Sequence, residues 1–183
     1  MLILITGAAS GGKSRYAEDL ALSLPFAHRI YLATMEDKEY NRDRIDRHRS
    51  MREGKGFETV ECETDILRSS ERIGKDTLVL LEDIPNLLAN EMFSKKEGKV
   101  PGYRMENSME ISERLGREII TLSEKAGTFI AVTGELLSDG NVYDAETEGY
   151  LKALSRINRM IAHEADSFFE VAAGIGIQLK GGN

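Results

Sequence analysis

Residues 7–14 read Gly7-Ala8-Ala9-Ser10-Gly11-Gly12-Lys13-Ser14. The spacing is G-x-x-x-x-G-K-[ST], a phosphate-binding loop. That pattern carries weight only between a strand and a helix, and both are present. Leu2-Ile3-Leu4-Ile5-Thr6, just before it, is a short apolar run that reads as a buried first strand. Arg15-Tyr16-Ala17-Glu18-Asp19-Leu20-Ala21-Leu22, just after it, reads as a helix. Glycines let backbone N–H groups close around phosphate oxygens, and the helix N-terminus adds partial positive charge. In that frame Lys13 reaches the β- and γ-phosphates, and Ser14 sets its hydroxyl on Mg²⁺.

Short β-rich runs alternate with longer helical patterns along the rest of the chain. Candidate strands are Leu2–Thr6, Arg29–Thr34, Phe57–Cys62, Thr77–Glu82, Thr128–Thr133, Ser167–Ala172 and Ile175–Lys180. Helical patterns lie near 13–24, 38–53, 63–73, 84–96, 104–126 and 144–165. The alternation predicts one α/β domain over 1–183, a mostly parallel sheet with helices on both faces. Only Ala173-Gly174 separates the last two strands, so they form a hairpin and leave one antiparallel edge strand. Ser94–Gly102, polar and broken by Gly and Pro, reads as an exposed loop.

Composition narrows the function. The chain has 183 residues, 41% hydrophobic, with net charge −7. Such acidity argues against a nucleic-acid partner. One cysteine, Cys62, excludes an internal disulfide and suits a reducing cytoplasm; as a small residue it reads as core. No apolar run is long enough to span a membrane, and the first apolar run is too short for a signal peptide.

Ligands of open α/β sheets bind at the carboxyl ends of the strands. The fourth candidate strand ends in Glu82-Asp83, where an acid can hold Mg²⁺ or its water shell. Either residue could serve, and Asp83 could instead cap the next helix. The stretch Arg44-Ile45-Asp46-Arg47-His48-Arg49-Ser50-Met51-Arg52 puts arginines around one histidine. Helical spacing sets Arg44, His48 and Arg52 on one face. Arginines suit phosphates, and an imidazole can attack an α-phosphorus. On spacing alone a solvated basic helix with an incidental histidine is the preferred reading. His28 reads as a loop residue before the second strand, and His163 as a residue facing a helix carboxyl end. No His/Cys cluster has zinc-ligand spacing.

Together these segments resemble one family over nearly the whole chain, the bifunctional adenosylcobinamide kinase / adenosylcobinamide-phosphate guanylyltransferase of cobalamin biosynthesis. The likeness runs through Leu2–Arg15, Tyr31-Leu32-Ala33-Thr34, Arg44-Ile45-x-x-His48-Arg49-x-x-Arg52, Thr59-x-Glu61, Leu80-Leu81-Glu82, Asn90, Arg156-x-Asn158 and Gly174-Ile175. It implies a recombinase-like, three-layer phosphate-loop fold, a homotrimer, and a corrinoid acceptor with GTP or ATP and Mg²⁺. It further implies His48 as the guanylylated nucleophile, with Lys13 beside it in the catalytic set. Gly7 through Ser14, Arg44, Arg49, Arg52, Glu61 and Glu82 would bind nucleotide, and Ser14 and Glu82 would bind metal. The chain departs from the family pattern at Arg47, where some relatives have a second histidine, and at Phe57, which replaces a tryptophan. The largest departure is Gly134–Val142, which keeps Glu135 and, of the family's glycines, at most Gly140. Two other readings stay open at this point: a small-molecule kinase without guanylyl transfer, and a nucleotide-binding protein with little catalysis.

Overall fold

The computed structural model describes residues 1–36, 41–93, 105–134 and 143–182, apart from the side chains of Asp43, Arg44, Arg47, His48, Met51, Met105 and Glu106. The start of the predicted 38–53 helix, the end of the 84–96 helix, the 94–102 loop and most of the divergent 134–142 segment lie outside the described residues.

Seven strands form one sheet in the order β3-β2-β4-β5-β1-β6-β7. They are β1 Leu2–Thr6, β2 His28–Ala33, β3 Phe57–Glu61, β4 Thr77–Glu82, β5 Thr128–Val132, β6 Ser167–Ala172 and β7 Ile175–Lys180. Every pairing from β3 to β6 is parallel, and β7 alone runs antiparallel, against β6. β4 and β5 are buried along their whole length, which is why they read as unbroken apolar runs rather than alternating ones.

The helices are α1 Lys13–Ser23, α2 Arg42–Arg52, α3 Ile84–Phe93, α4 Met105–Lys125 and α5 Ala145–Glu164. Ala17 and Ala21 of α1 pack on one face of the sheet, against Ile3, Ile5, Leu78, Leu80, Ile130 and Val132. Helices α3, α4 and α5 cover the other face, where Leu87, Leu115, Ile119, Leu154 and Ile157 meet Leu4, Leu32, Leu81 and Phe129. The result is the three-layer arrangement expected from the alternation.

Two local expectations change. Residues 66–72 form a 3₁₀ helix, not an α-helix. Asp65 enters it with φ of 56°, and Ser69 Oγ donates back to the Ile66 carbonyl at 2.7 Å, competing with an α-helical ladder. His28 is the first residue of β2, not a loop residue. It pairs with Thr77 of β4, and its Nε2 lies 3.0 Å from Glu58 Oε2 on β3.

Phe129 is fully buried in the layer between β5 and the α4/α5 pair. Phe129→Ala should therefore lower unfolding free energy by about 3–5 kcal/mol, read by urea denaturation. A loss below about 1 kcal/mol would contradict this packing.

Candidate active site

The phosphate loop is shaped by close backbone approach. Gly7 has φ of 146°, and a Cβ there would lie 2.3 Å from the Val171 carbonyl oxygen. Gly12 has φ of 92°, and a Cβ there would lie 2.9 Å from Gly174 Cα. The hairpin turn between β6 and β7 thus leans on the loop, and the Gly174 N–H donates to the Gly11 carbonyl at 2.8 Å. Only glycine fits both positions.

Gly12 also caps α1, with no side-chain hydrogen bond and no acid in the first turn. Helix α5 differs: Asp144 accepts from the Thr147 N–H at 2.8 Å, and Glu146 and Glu148 follow. The first N–H groups of α1 are therefore left for a ligand, and the helix end favours an anion. Lys13 Nζ donates to the Ala8 carbonyl at 2.7 Å, which folds the ammonium over its own loop.

Glu82 ends β4 beside this loop and is 7% exposed. It accepts from the Ser14 hydroxyl and, at 3.1 Å, from the Tyr31 phenol. Burial pushes its carboxyl up to about 7, opposed by the Ser14 hydrogen bond and reinforced by the Asp83 charge. A buried carboxyl bonded to a hydroxyl is an oxygen donor set that fits Mg²⁺. Asp83 does a different job. Its Oδ1 accepts from the Asn86 N–H at 2.9 Å and caps α3. The Thr34 hydroxyl donates to the Asp83 carbonyl at 2.9 Å and accepts from the Asp83 N–H at 2.8 Å, tying the end of β2 to the end of β4.

A cleft opens between α2 and the carboxyl ends of β2, β3 and β4. Tyr31, Thr34, Ile45, Arg49, Arg52, Glu61 and Glu82 line it. Of the predicted basic residues, Arg49 donates to Glu61 Oε1 at 2.9 Å. Arg52 turns inward, with its guanidinium 3.6 Å from the Tyr31 ring centroid. His48 and Arg44 are on α2, but their side chains lie outside those described. Cys62 is buried, as its residue type suggests. His163 lies in the last turn of α5, as expected, with its Nδ1 2.8 Å from Glu164 Oε1.

Residue-by-residue reading missed several supports. Glu18, placed on a helix that looks amphipathic, is fully buried and meets Lys55 at 2.6 Å. Asn90 Nδ2 donates to the Thr34 carbonyl at 2.7 Å and the Glu63 carbonyl at 3.0 Å, pinning two strand ends. Asn158 does the same after β5, accepting from the Thr133 hydroxyl at 2.7 Å. The only signal for either asparagine was its place in the family pattern. Among the described residues no group of three His, Cys, Asp or Glu side chains gathers to hold a metal, and no helix is long and apolar enough to cross a membrane.

A glycine cradle on an uncapped helix, with a strand-end acid beside it, defines a phosphate-loop nucleotide-binding protein of the α/β class. The chain belongs to the cobinamide kinase / cobinamide phosphate guanyltransferase family, whose profile it matches over residues 3–179. It is 29% identical to the bifunctional adenosylcobalamin biosynthesis protein CobU of Salmonella typhimurium and 30% identical to that of Escherichia coli. Each comparison covers 98% of this chain and the whole of the relative. In fold it is similar to a prototypical ATPase from the type III secretion system of pathogenic bacteria, with TM-score 0.52 at 10% identity. That match takes in 97% of this chain and 56% of the ATPase. The RadB recombinase aligns with TM-score 0.49 at 12% identity, over 92% of this chain and 73% of its own.

The Glu82 environment has a pH signature. With no divalent cation bound, the folded carboxyl titrates at about 7 against an ordinary 4.5. Between those values the unfolded chain releases a proton that the folded chain keeps. The stability contribution is therefore full below the lower value and is lost as pH rises through the upper one. Glu82→Gln should gain stability over the parent near pH 8 relative to about pH 5, in urea titrations without metal. An equal difference at both pH values would contradict burial of this carboxyl.

Proposed function

We propose that this chain phosphorylates the hydroxyl of a corrinoid, adenosylcobinamide, and then transfers GMP from GTP to the new phosphate through a covalent histidine. One observation carries the reading. The phosphate loop, the Glu82 end of β4 and the arginine–histidine helix α2 meet at the same edge of the sheet. Family membership over nearly the whole chain supports both half-reactions.

In the first half-reaction the acceptor oxygen attacks the γ-phosphorus, its proton leaves, and the nucleoside diphosphate departs. The uncapped N–H groups of α1 and the backbone of residues 7–14 hold the phosphate oxygens. Lys13 exchanges the Ala8 carbonyl for the β- and γ-phosphates, a charge-assisted replacement that favours the nucleotide. Ser14 and Glu82 would hold Mg²⁺, which neutralises charge that develops between the phosphates.

In the second half-reaction a His48 ring nitrogen attacks the α-phosphorus of GTP. An N–P bond forms, the α–β bridging P–O bond breaks, and pyrophosphate leaves. A phosphate oxygen of the phosphorylated acceptor then attacks the same phosphorus, breaks the N–P bond and restores the imidazole. Arg49, set by Glu61, and Arg44 would stabilise the developing oxyanion charge. The same reading makes the active form a homotrimer in the cytoplasm. Ile175, Ile177 and Leu179, exposed at 69%, 51% and 54% on edge strand β7, support association.

The test is incubation with α-labelled GTP and Mg²⁺, then denaturing separation. The parent should carry label that survives alkali and is lost in acid, as a phosphoramidate does, and His48→Ala should carry none. Lys13→Ala should lose about 1.5–3 kcal/mol of GTP affinity by calorimetry. A parent that binds GTP and never labels would leave only the kinase reading. Label on His48→Ala would move the nucleophile elsewhere.

A further inference from the structure

Arg52 stands in an unusual place for an arginine. It is 8% exposed, and among the described residues its Nε and Nη1 have no hydrogen-bond partner. Its guanidinium sits 3.6 Å from the centroid of Tyr31, itself 2% exposed in the middle of β2. Phe57 of β3 supports the same ring edge-on, 6.2 Å away at 81°. A cation over an aromatic face gains strength where water is excluded, and this face is dry. The guanidinium is thus stacked on a tyrosine of the sheet that a ring on the neighbouring strand holds from the side.

The stack fixes one end of α2. Arg52 is the last residue of that helix. Immediately beyond, the Lys55 N–H donates to the Arg52 carbonyl at 3.0 Å, and Lys55 Nζ meets the fully buried Glu18 of α1 at 2.6 Å. Two charged side chains therefore clamp the carboxyl end of α2 onto the sheet and onto the helix that follows the phosphate loop. Position 48 lies one turn ahead of this clamp.

We propose that Arg52, seated on Tyr31, is a positioning residue for guanylyl transfer: the stack holds α2 so that position 48 is presented to the nucleotide, and Arg52 is not itself a phosphate ligand. The inference rests on the reading of His48 as nucleophile. Its physical basis is the steep loss of rate when a reacting group is misplaced by even an ångström. A long basic side chain reaching into solvent would leave the ring bare and the helix end free; this one is folded under, at the cost of two guanidinium nitrogens without a partner among the described residues.

Three measurements on the full chain decide it: single-turnover labelling by α-labelled GTP, GTP affinity by calorimetry, and amide hydrogen exchange across Arg42–Arg52. Arg52→Met and Tyr31→Leu should each slow labelling by about tenfold or more while GTP affinity stays within about threefold. Exchange in α2 should quicken in both. Arg52→Lys, which keeps a cation, and Tyr31→Phe, which keeps the ring, should each lose less than the corresponding larger change. The double variant Arg52→Met/Tyr31→Leu should be no slower than the worse single one, because the two residues act as one unit. An affinity loss that tracks the rate loss would make Arg52 a phosphate ligand and overturn the proposal. So would additive losses, or unchanged labelling. A parent that takes no label sinks the histidine reading instead; exchange in the same variants then decides the clamp, and unchanged exchange overturns it.

Discussion

Parallel pairing from β3 through β6 points the carboxyl ends of six strands to one edge of the sheet, and the residues proposed to carry the chemistry collect there. Thr6 leads into the phosphate loop, Glu82 ends β4 beside it, and Glu61 ends β3 under α2. The edge would fray if each strand end were left to itself. Side chains tie it instead: the Thr34 hydroxyl bridges β2 to β4, Asn90 holds the ends of β2 and β3, and Asn158 holds the end of β5. On the far side the β6–β7 turn braces the loop through Gly174 and Gly11. The last strand is antiparallel because a two-residue turn permits nothing else, and that reversal brings the turn against the loop.

The site also collects groups that burial disfavours. Glu82 and Glu18 are carboxyls in a dry interior, α1 begins without a side-chain cap, and Arg52 has two nitrogens without a partner among the described residues. Each costs stability in the free protein. Three of them answer a charge, and the fourth an aromatic face: Glu18 answers Lys55, the α1 end and Glu82 suit a phosphate and its cation, and Arg52 rests on Tyr31. Local rules broken in one place, inside a sheet that otherwise obeys them, are what a functional edge looks like.

Much of this was legible in the chain. The apolar runs of β1, β4, β6 and β7 give their limits to the residue, because parallel central strands and a two-residue hairpin leave little latitude. Lys13 and Ser14 could be named from spacing, since strand, loop and helix fix where they fall; at the end of β4 the pattern left Glu82 and Asp83 open, and only the family resemblance chose Glu82. Tyr31 could not. In Tyr31-Leu32-Ala33 it reads as core, and its contacts with Glu82 and Arg52 depend on β4 lying next to β2 and α2 lying above it. Glu18 and Lys55 are 37 positions apart, so no local pattern announces their pairing. The 3₁₀ turn at 66–72 was hidden because its serines serve equally in an α-helix until one bonds back to the chain.

That two group transfers share one sheet edge is the central claim, and discharge of the intermediate tests it most directly. The protein would be labelled from α-labelled GTP, stripped of free nucleotide and pyrophosphate, and then mixed with phosphorylated adenosylcobinamide. The account predicts that label leaves the protein stoichiometrically and appears as a GDP-linked corrinoid, with no nucleotide added back. Label that stays on the protein, or passes to water at the same rate with and without the corrinoid, would contradict it.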